Sequence, residues 1–121
     1  MVSVKEYSDV TNLIGKYVEA IKNGNIELLA DIFHQNSLSY GTVNGELVGG
    51  SGNNPAVEFI KKNGKSPEIV SCIDVLDITP TTAVVRLISE KDAIGSDCTE
   101  YLTLIKLDGC WTIIGKVFHQ F

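Results

Sequence analysis

Hydrophobic and polar residues alternate along the last quarter of the chain, in two runs that flank Asp108-Gly109. Asp-Gly between alternating apolar segments is among the strongest short-range signals for a tight β-hairpin turn. Each arm of this hairpin has about ten residues, whereas the usual strand has about five or six. The pattern therefore predicts one long hairpin over residues 97–121 that forms the centre of a curved sheet.

Successive side chains on a strand point to opposite faces, so the same pattern assigns each hairpin residue to a face. Neither face is purely polar, which predicts that both sides of the sheet are at least partly buried. Trp111 and His119 share one face with Tyr101, Thr103, Ile105, Gly115 and Val117, and the opposite face carries Leu102, Leu104, Cys110, Ile114 and Phe118.

Three helices are predicted upstream of the hairpin. Apolar residues recur at spacings of three and four over residues 10–21, after a capping residue at position 8 or 9. A second, shorter helix is predicted over residues 25–34. Asn54-Pro55 combines a capping asparagine with a proline at the first helical position, which predicts a third helix that ends at Gly64.

Four further strands are predicted before the hairpin. Asn44-Gly45 is typical of a two-residue hairpin turn and separates the first two of them. The glycine-rich residues 49–52 are expected to be irregular. Early helices followed by long strands indicate an α+β fold. The predicted strands cover residues 38–43, 46–48, 68–78 and 83–90.

The 121 residues have the length of a single domain, which we assign to residues 1–121, and 44% hydrophobic content is typical of a globular protein. A net charge of −5 disfavours binding to nucleic acid or to an anionic membrane, because those partners require a positive field. The sequence shows neither a signal-peptide core nor a membrane-length apolar run. We therefore expect a cytoplasmic protein.

The three cysteines, Cys72, Cys98 and Cys110, are odd in number and form no C-x-x-C pair. This disfavours both a disulfide framework and a zinc site. His34 and His119 are the only histidines, and no H-x-H or H-x-x-x-H spacing occurs. We expect neither a metal nor another cofactor.

Three segments carry a resemblance to a known family: YVEAIKNGNIELLADIFH at residues 17–34, ELVGG at residues 46–50, and YLTLIKLDGCWTIIGKVFH at residues 101–119. The chain resembles the nuclear transport factor 2-like superfamily, and within it the lumazine-binding group beside the SnoaL-like polyketide cyclases. The resemblance implies a cystatin-like cone, in which a curved antiparallel sheet wraps on three helices. It also implies a pocket at the wide end and a homodimer through the outer sheet face.

If the face with Trp111 and His119 looks into the cone, as the resemblance implies, this face lines a pocket for a small apolar or aromatic ligand. Helices and other strands would add residues from the remaining sides. The candidate ligand-binding residues are then Tyr17, His34, Tyr40, Phe59, Arg86, Tyr101, Thr103, Gly115, Val117 and His119. The opposite face would form the homodimer through Leu102, Leu104, Ile114 and Phe118.

His119, Tyr17 and His34 are the candidate catalytic residues, because an imidazole has its ordinary pKa nearest neutrality and a phenol can donate a proton. The histidines could instead be a solvated strand end and a favourable charge at a helix end. Arg86, in an apolar strand, requires a matching charge from Glu90, Glu100 or a ligand anion.

Ketosteroid isomerases of the superfamily use a tyrosine, an aspartate base and a neutral aspartic acid. In this sequence the tyrosine falls on Tyr17, but the other two positions fall near Gly41 and Thr103. Isomerisation by that set is therefore disfavoured. Two functions stay open: a small-molecule binder that is also a proton-transfer enzyme (isomerase, cyclase or dehydratase), or a non-catalytic ligand carrier or association module.

Overall fold

The computed structural model describes residues 2–52 and 54–121. The predicted α+β class is confirmed, as is the order of helices and strands. The helices are α1 (Val4–Asn23), α2 (Ile26–Ile32) and α3 (Pro55–Asn63), and the strands are β1 (Phe33–Val43), β2 (Glu46–Ser51), β3 (Val70–Ile78), β4 (Thr82–Glu90), β5 (Cys98–Leu107) and β6 (Cys110–Gln120).

The strands form one sheet in the order β2-β1-β6-β5-β4-β3, so the predicted long hairpin of β5 and β6 lies at the sheet centre. The sheet is antiparallel except between β1 and β6, which run parallel. The predicted antiparallel pairing therefore holds for every neighbouring pair of the sheet except this one. These two strands lie far apart in the sequence, so no tight turn forces them to run in opposite directions.

Side chains cap all three helices. The Ser3 hydroxyl accepts from the backbone N–H of Glu6, which starts α1 one turn before the predicted cap. Asn25 and Asn54 cap α2 and α3 with their side-chain oxygens. Gly24 ends α1 with φ of 66°, a left-handed conformation that glycine adopts without strain.

The start of the sheet differs from the prediction at two places. His34 belongs to β1 and not to the end of a helix, because α2 stops at Ile32. The glycine run also pairs with β1, so β2 extends to Ser51. A Cβ at Gly49 would collide with the carbonyl of Ser39, so the strand continues because this residue has no side chain.

The core lies between α1 and the inner face of the sheet. Val10, Ile14, Tyr17 and Ala20 form the buried stripe of α1. Burying one large apolar side chain is worth about 1.5–3 kcal/mol, so this contact is a main source of stability. The stripe packs in one cluster with sheet residues that include Val85, Leu87, Leu102, Leu104 and Ile113.

Beside the hairpin turn, Glu6 ties α1 to the end of the sheet. Its carboxylate accepts from Lys106 Nζ at 2.8 Å and from Trp111 Nε1 at 3.2 Å. The hydrogen bond from Lys106 lowers the pKa of Glu6 below its usual value, with Trp111 contributing in the same direction. These contacts fix where the first turn of α1 meets the hairpin.

An irregularity in β6 overturns the predicted faces of the hairpin. Thr103 pairs with Gly115, but the next residue of β5, Leu104, pairs with Ile113, so Ile114 is an extra residue in β6. Such a bulge reverses the alternation of side chains beyond it. Trp111 and Ile113 face the core as predicted, but beyond the bulge the inward residues are Lys116 and Phe118, and the outward residues are Gly115, Val117 and His119.

The predicted dimer residues are also largely misplaced. The two-residue turn pairs Lys106 with Trp111, so Leu102 and Leu104 share the inner face with Trp111 independently of the bulge. Leu102 and Leu104 are 0% and 2% exposed and belong to the core, and Phe118 is also buried. By contrast, Tyr101 and Val117, predicted to face the pocket, are 46% and 61% exposed on the outer face.

Candidate functional site

A cavity of about 420 Å³ lies between the helices and the inner face of the sheet. This volume is within the usual range of about 300–1,000 Å³ for small-molecule sites. Its walls are mostly apolar and come from α1, α3 and the strands, with Val18, Ile21, Val48, Ala56, Phe59 and Phe118 among them. The walls suit a ligand with an apolar body.

Three polar side chains that line the cavity meet in one place, and we call Tyr17, Glu100 and Lys116 the polar cluster. The Tyr17 hydroxyl donates to Glu100 Oε1 at 2.5 Å, and Lys116 Nζ donates to the Tyr17 hydroxyl at 3.1 Å. Lys116 Nζ also lies 3.4 Å from Glu100 Oε1. Glu100 is 7% exposed and Lys116 is 5% exposed, so this is a buried ion pair bridged by a phenol.

The fold brings the polar cluster together through register and helix periodicity. Glu100 pairs with Phe118, and Lys116 pairs with Leu102, so Glu100 and Lys116 are diagonal neighbours on the inner face. Tyr17 belongs to the buried stripe of α1 and reaches down to them. The bulge at Ile114 is what turns Lys116 inward.

Burial and the adjacent negative charge of Glu100 raise the pKa of Tyr17 well above its usual value. The phenol therefore keeps its proton and acts as a hydrogen-bond donor. Three aromatic rings surround the ammonium of Lys116, with centroids 5.0 Å (Phe118), 5.6 Å (Tyr17) and 5.8 Å (Phe33) from Nζ. Rings within about 6 Å attract a cation through their faces.

One oxygen of the polar cluster is available to a ligand. Both contacts of the Glu100 carboxylate are made by Oε1. Oε2 has no hydrogen-bond partner within residues 2–52 and 54–121, although Glu100 lines the cavity. The cavity thus presents a carboxylate oxygen, an ammonium and a phenol to its ligand. The carboxylate can accept a proton, the ammonium can stabilise a negative charge, and the phenol can donate a proton.

Cys98 also lines the cavity, two residues before Glu100. Burial, and then the charge of Glu100, raise the pKa of this thiol to about 12. The nucleophilic form of cysteine is the thiolate. Cys98 is therefore an uncharged thiol at neutral pH and contributes a small apolar surface to the cavity.

Of the residues predicted from the sequence, the structure places Tyr17 and Phe59 on this cavity. Their part in binding stays a prediction. The predicted position of the other candidates is wrong. In the hairpin, the bulge turns Gly115, Val117 and His119 outward, and the register of the turn places Tyr101 and Thr103 on the same outer face. Tyr40, Val117, Tyr101 and Arg86 form one cross-strand row on the outer face, beside the outer pair of Thr103 and Gly115.

Neither histidine reaches this cavity. His119 lies on the outer face, with Nδ1 3.1 Å from the Thr42 hydroxyl and its ring packed edge-on against Phe121. His34 Nδ1 accepts from the backbone N–H of Asn36 at 3.0 Å, and His34 lines a second cavity of about 270 Å³ beside α2. The geometry gives no support to either histidine as a partner of the polar cluster.

Arg86 forms an ion pair with Asp74 at 2.5 Å. The expectation of a matching charge is met, but by the residue opposite it on β3 and not by Glu90 or Glu100. No fixed charge is left there for a ligand anion to match.

Sequence reasoning missed Glu100 and Lys116. The signal was present, because each is a charged residue on a strand with apolar residues two positions before and after it, Cys98 and Leu102 for Glu100, and Ile114 and Phe118 for Lys116.

Within residues 2–52 and 54–121, no group of three or more His, Cys, Asp or Glu side chains is arranged to hold a metal ion. Likewise, no helix in that part of the chain has the length and apolar character needed to cross a membrane.

The curved sheet and the three helices have the arrangement of nuclear transport factor 2-like proteins. The sequence model of the family described as "Putative lumazine-binding" matches residues 5–119, and the chain belongs to this family. The chain is 34% identical to Aldolase FrzH of a Cladobotryum species over 120 residues, which are 99% of this chain and 95% of that protein.

Solved structures with the same fold include two bacterial NTF2-like proteins of unknown function. The protein from Methylobacillus flagellatus KT aligns with a TM-score of 0.90 at 29% identity, over 99% of this chain and 95% of that one. The protein from Shewanella baltica OS155 aligns with a TM-score of 0.85 at 26% identity, over 100% of this chain and 98% of that one.

Proposed function

We propose that the cavity binds a small carbonyl compound and that the polar cluster transfers a proton at the carbon next to the carbonyl group. The observation that carries this proposal is the buried contact of Tyr17, Glu100 and Lys116 on the cavity wall. The similarity to a protein named as an aldolase supports it, since aldol addition begins by removing such a proton.

Each member of the polar cluster has a distinct role in this proposal. Glu100 Oε2 accepts the proton from the substrate carbon, because Oε1 is already held by Tyr17. Lys116 places a positive charge against the negative charge that develops on the carbonyl group, and low exposure strengthens this interaction. Tyr17, protonated because its pKa is raised, donates a proton or a hydrogen bond to the same group.

The test uses butanone as a probe in deuterated water, with proton NMR measuring exchange at the carbons beside the carbonyl. We expect the protein to accelerate exchange above buffer. Glu100→Gln should lower the acceleration by about 10²–10⁴-fold, the usual contribution of one general base. Glu46→Gln, an exposed residue away from the cavity, is the matched control and should leave the rate unchanged.

The alternative is that the protein is a non-catalytic ligand carrier. The polar cluster is already hydrogen-bonded within the protein, so it is also compatible with a purely structural role. Binding of butanone, seen as ligand line broadening, without any exchange above buffer would favour the carrier. Equal exchange rates in Glu100→Gln and Glu46→Gln would contradict the proposed base.

We also propose that two copies associate through the outer sheet face, although not through the residues predicted from the sequence. Large apolar side chains exposed on one face usually mark an interface. Val117→Glu should convert a dimer to a monomer in light scattering, whereas Val4→Glu, exposed on α1, should not. A monomeric wild-type protein would contradict this proposal. The exposed residues of this face are Leu38, Tyr40, Val84, Ile88, Tyr101 and Val117.

A further inference from the structure

We propose that Lys116 is a nucleophile that forms a covalent imine with the carbonyl carbon of an aldehyde or ketone bound in the cavity. This inference rests on the proposed function and states how the carbonyl group is activated. It assigns Lys116 to the substrate carbon itself, and not only to a charge near the substrate.

Lys116 differs from every other lysine of the described chain in its surroundings. It is the only buried lysine, since the others are exposed or half-buried. It lines the cavity, so a ligand bound there can contact it. An amine in such a place meets few competing reactants other than the bound ligand.

The surroundings of Lys116 suit the product of imine formation as well as the free lysine. A protonated imine carries its positive charge on the same nitrogen as the ammonium. Glu100 Oε1 at 3.4 Å and the rings of Phe118, Tyr17 and Phe33 stabilise a cation at that point. Converting one cation into the other therefore leaves the charge balance of the polar cluster unchanged.

Protons can be moved at each step by groups in contact with Nζ. Glu100 accepts one proton from the ammonium, and the freed lone pair forms the N–C bond as the carbonyl π electrons move to oxygen. That oxygen takes up two protons, one at a time, from the nitrogen by way of Glu100 and Tyr17, and leaves as water. The net change is R–NH₃⁺ plus O=C giving R–NH⁺=C plus H₂O, which balances in atoms and charge.

Glu100 Oε2 then serves the next step. Removing a proton from the carbon beside the imine carbon moves the C–H electrons into a new C=C bond and neutralises the nitrogen. The product is an enamine, which is a carbon nucleophile, and the proton is on Glu100. The apolar walls indicate that the carbonyl substrate carries an apolar body, for which the cavity of about 420 Å³ leaves room.

Pentane-2,4-dione tests this inference, because an amine that forms an imine with it gives a conjugated enaminone with a near-ultraviolet band. We expect one adduct per chain, with a mass gain of the probe minus one water, and peptide mapping should place it on Lys116. Lys116→Arg keeps the positive charge and should lose the adduct. Its thermal unfolding by circular dichroism checks that the variant is folded.

Lys106→Arg is the matched control, because Lys106 also pairs with a glutamate and lies 5.9 Å from an aromatic centroid, yet it does not line the cavity. It should keep the adduct. An adduct on surface lysines alone, or one that persists in a folded Lys116→Arg variant, would overturn the inference. Butanone binding and exchange without any adduct would overturn the imine and leave the proposed function standing. Neither binding nor adduct would remove both.

Discussion

Replacing Lys116 by methionine should destabilise the protein strongly. The substitution removes the ammonium, keeps most of the apolar stem, and leaves Glu100 buried with only Tyr17 as a partner. Removing one partner of a buried ion pair costs about 3–5 kcal/mol, because the other charge stays desolvated. Typical domains have about 5–15 kcal/mol in total, so the variant should lose a substantial share of its stability.

Two further variants show whether the cause is the unpaired charge. Lys116→Met combined with Glu100→Gln removes both charges, and the coupling should recover about 0.5–3 kcal/mol relative to the sum of the single changes. Lys5→Met is the control, because it makes the same lysine-to-methionine change but breaks an exposed ion pair, that of Lys5 with Asp9. Exposed pairs of this spacing are worth only about 0.3–0.5 kcal/mol.

Urea denaturation followed by circular dichroism measures the free energy of unfolding of each variant. A loss below about 1 kcal/mol, no larger than that of Lys5→Met, would show that the pair is not desolvated and would refute the reasoning.

Two substitutions and one labelling experiment test other contacts of the fold. A Cβ at Gly41 would overlap the ring of Phe118, so Gly41→Ala should cost about 1–3 kcal/mol in urea denaturation, and no loss would contradict this packing. Because Lys106 lowers the pKa of Glu6, this contact stabilises above the ordinary glutamate pKa of about 4.3 and is lost as pH falls through the folded value. The stability deficit of Glu6→Gln should therefore be largest at neutral pH and disappear in acid, whereas a pH-independent deficit would argue against the pair. Cys98, with its pKa raised to about 12, should react with iodoacetamide much more slowly than the two exposed cysteines in mass-spectrometric labelling, and equal rates would contradict its burial.

Local sequence signals predicted most of the secondary structure. Asn44-Gly45 and Asp108-Gly109 are turns with positive φ values, as their residue types require. Asn54-Pro55 begins a helix that Gly64 ends. These signals work because the backbone preference of one or two residues decides the conformation, independently of the rest of the chain.

Such signals do not decide between competing caps, nor do they show contacts distant in sequence. Ser8 and Asp9 offer the same capping chemistry as Ser3 within the next two turns, so the start of α1 is ambiguous from the sequence. Residues 49–51 can pair with β1 because Gly49 has no Cβ to collide with that strand. The partner of Arg86 depends on the register of β3 against β4, which places Asp74 directly opposite it.

The identity of the candidate site turns on one extra residue in β6. Strict alternation from the inward-facing Trp111 would bring His119 to the inner face and send Lys116 to the outer face. Ile114 interrupts the alternation. Beside the bulge, the Thr103 side chain fills the space that a Cβ on Gly115 would occupy, so this position of the outer face requires glycine. Lys116 then meets Glu100 and Tyr17 across the hairpin. The same sequence thus offers an imidazole or an amine to the cavity, and the bulge selects the amine.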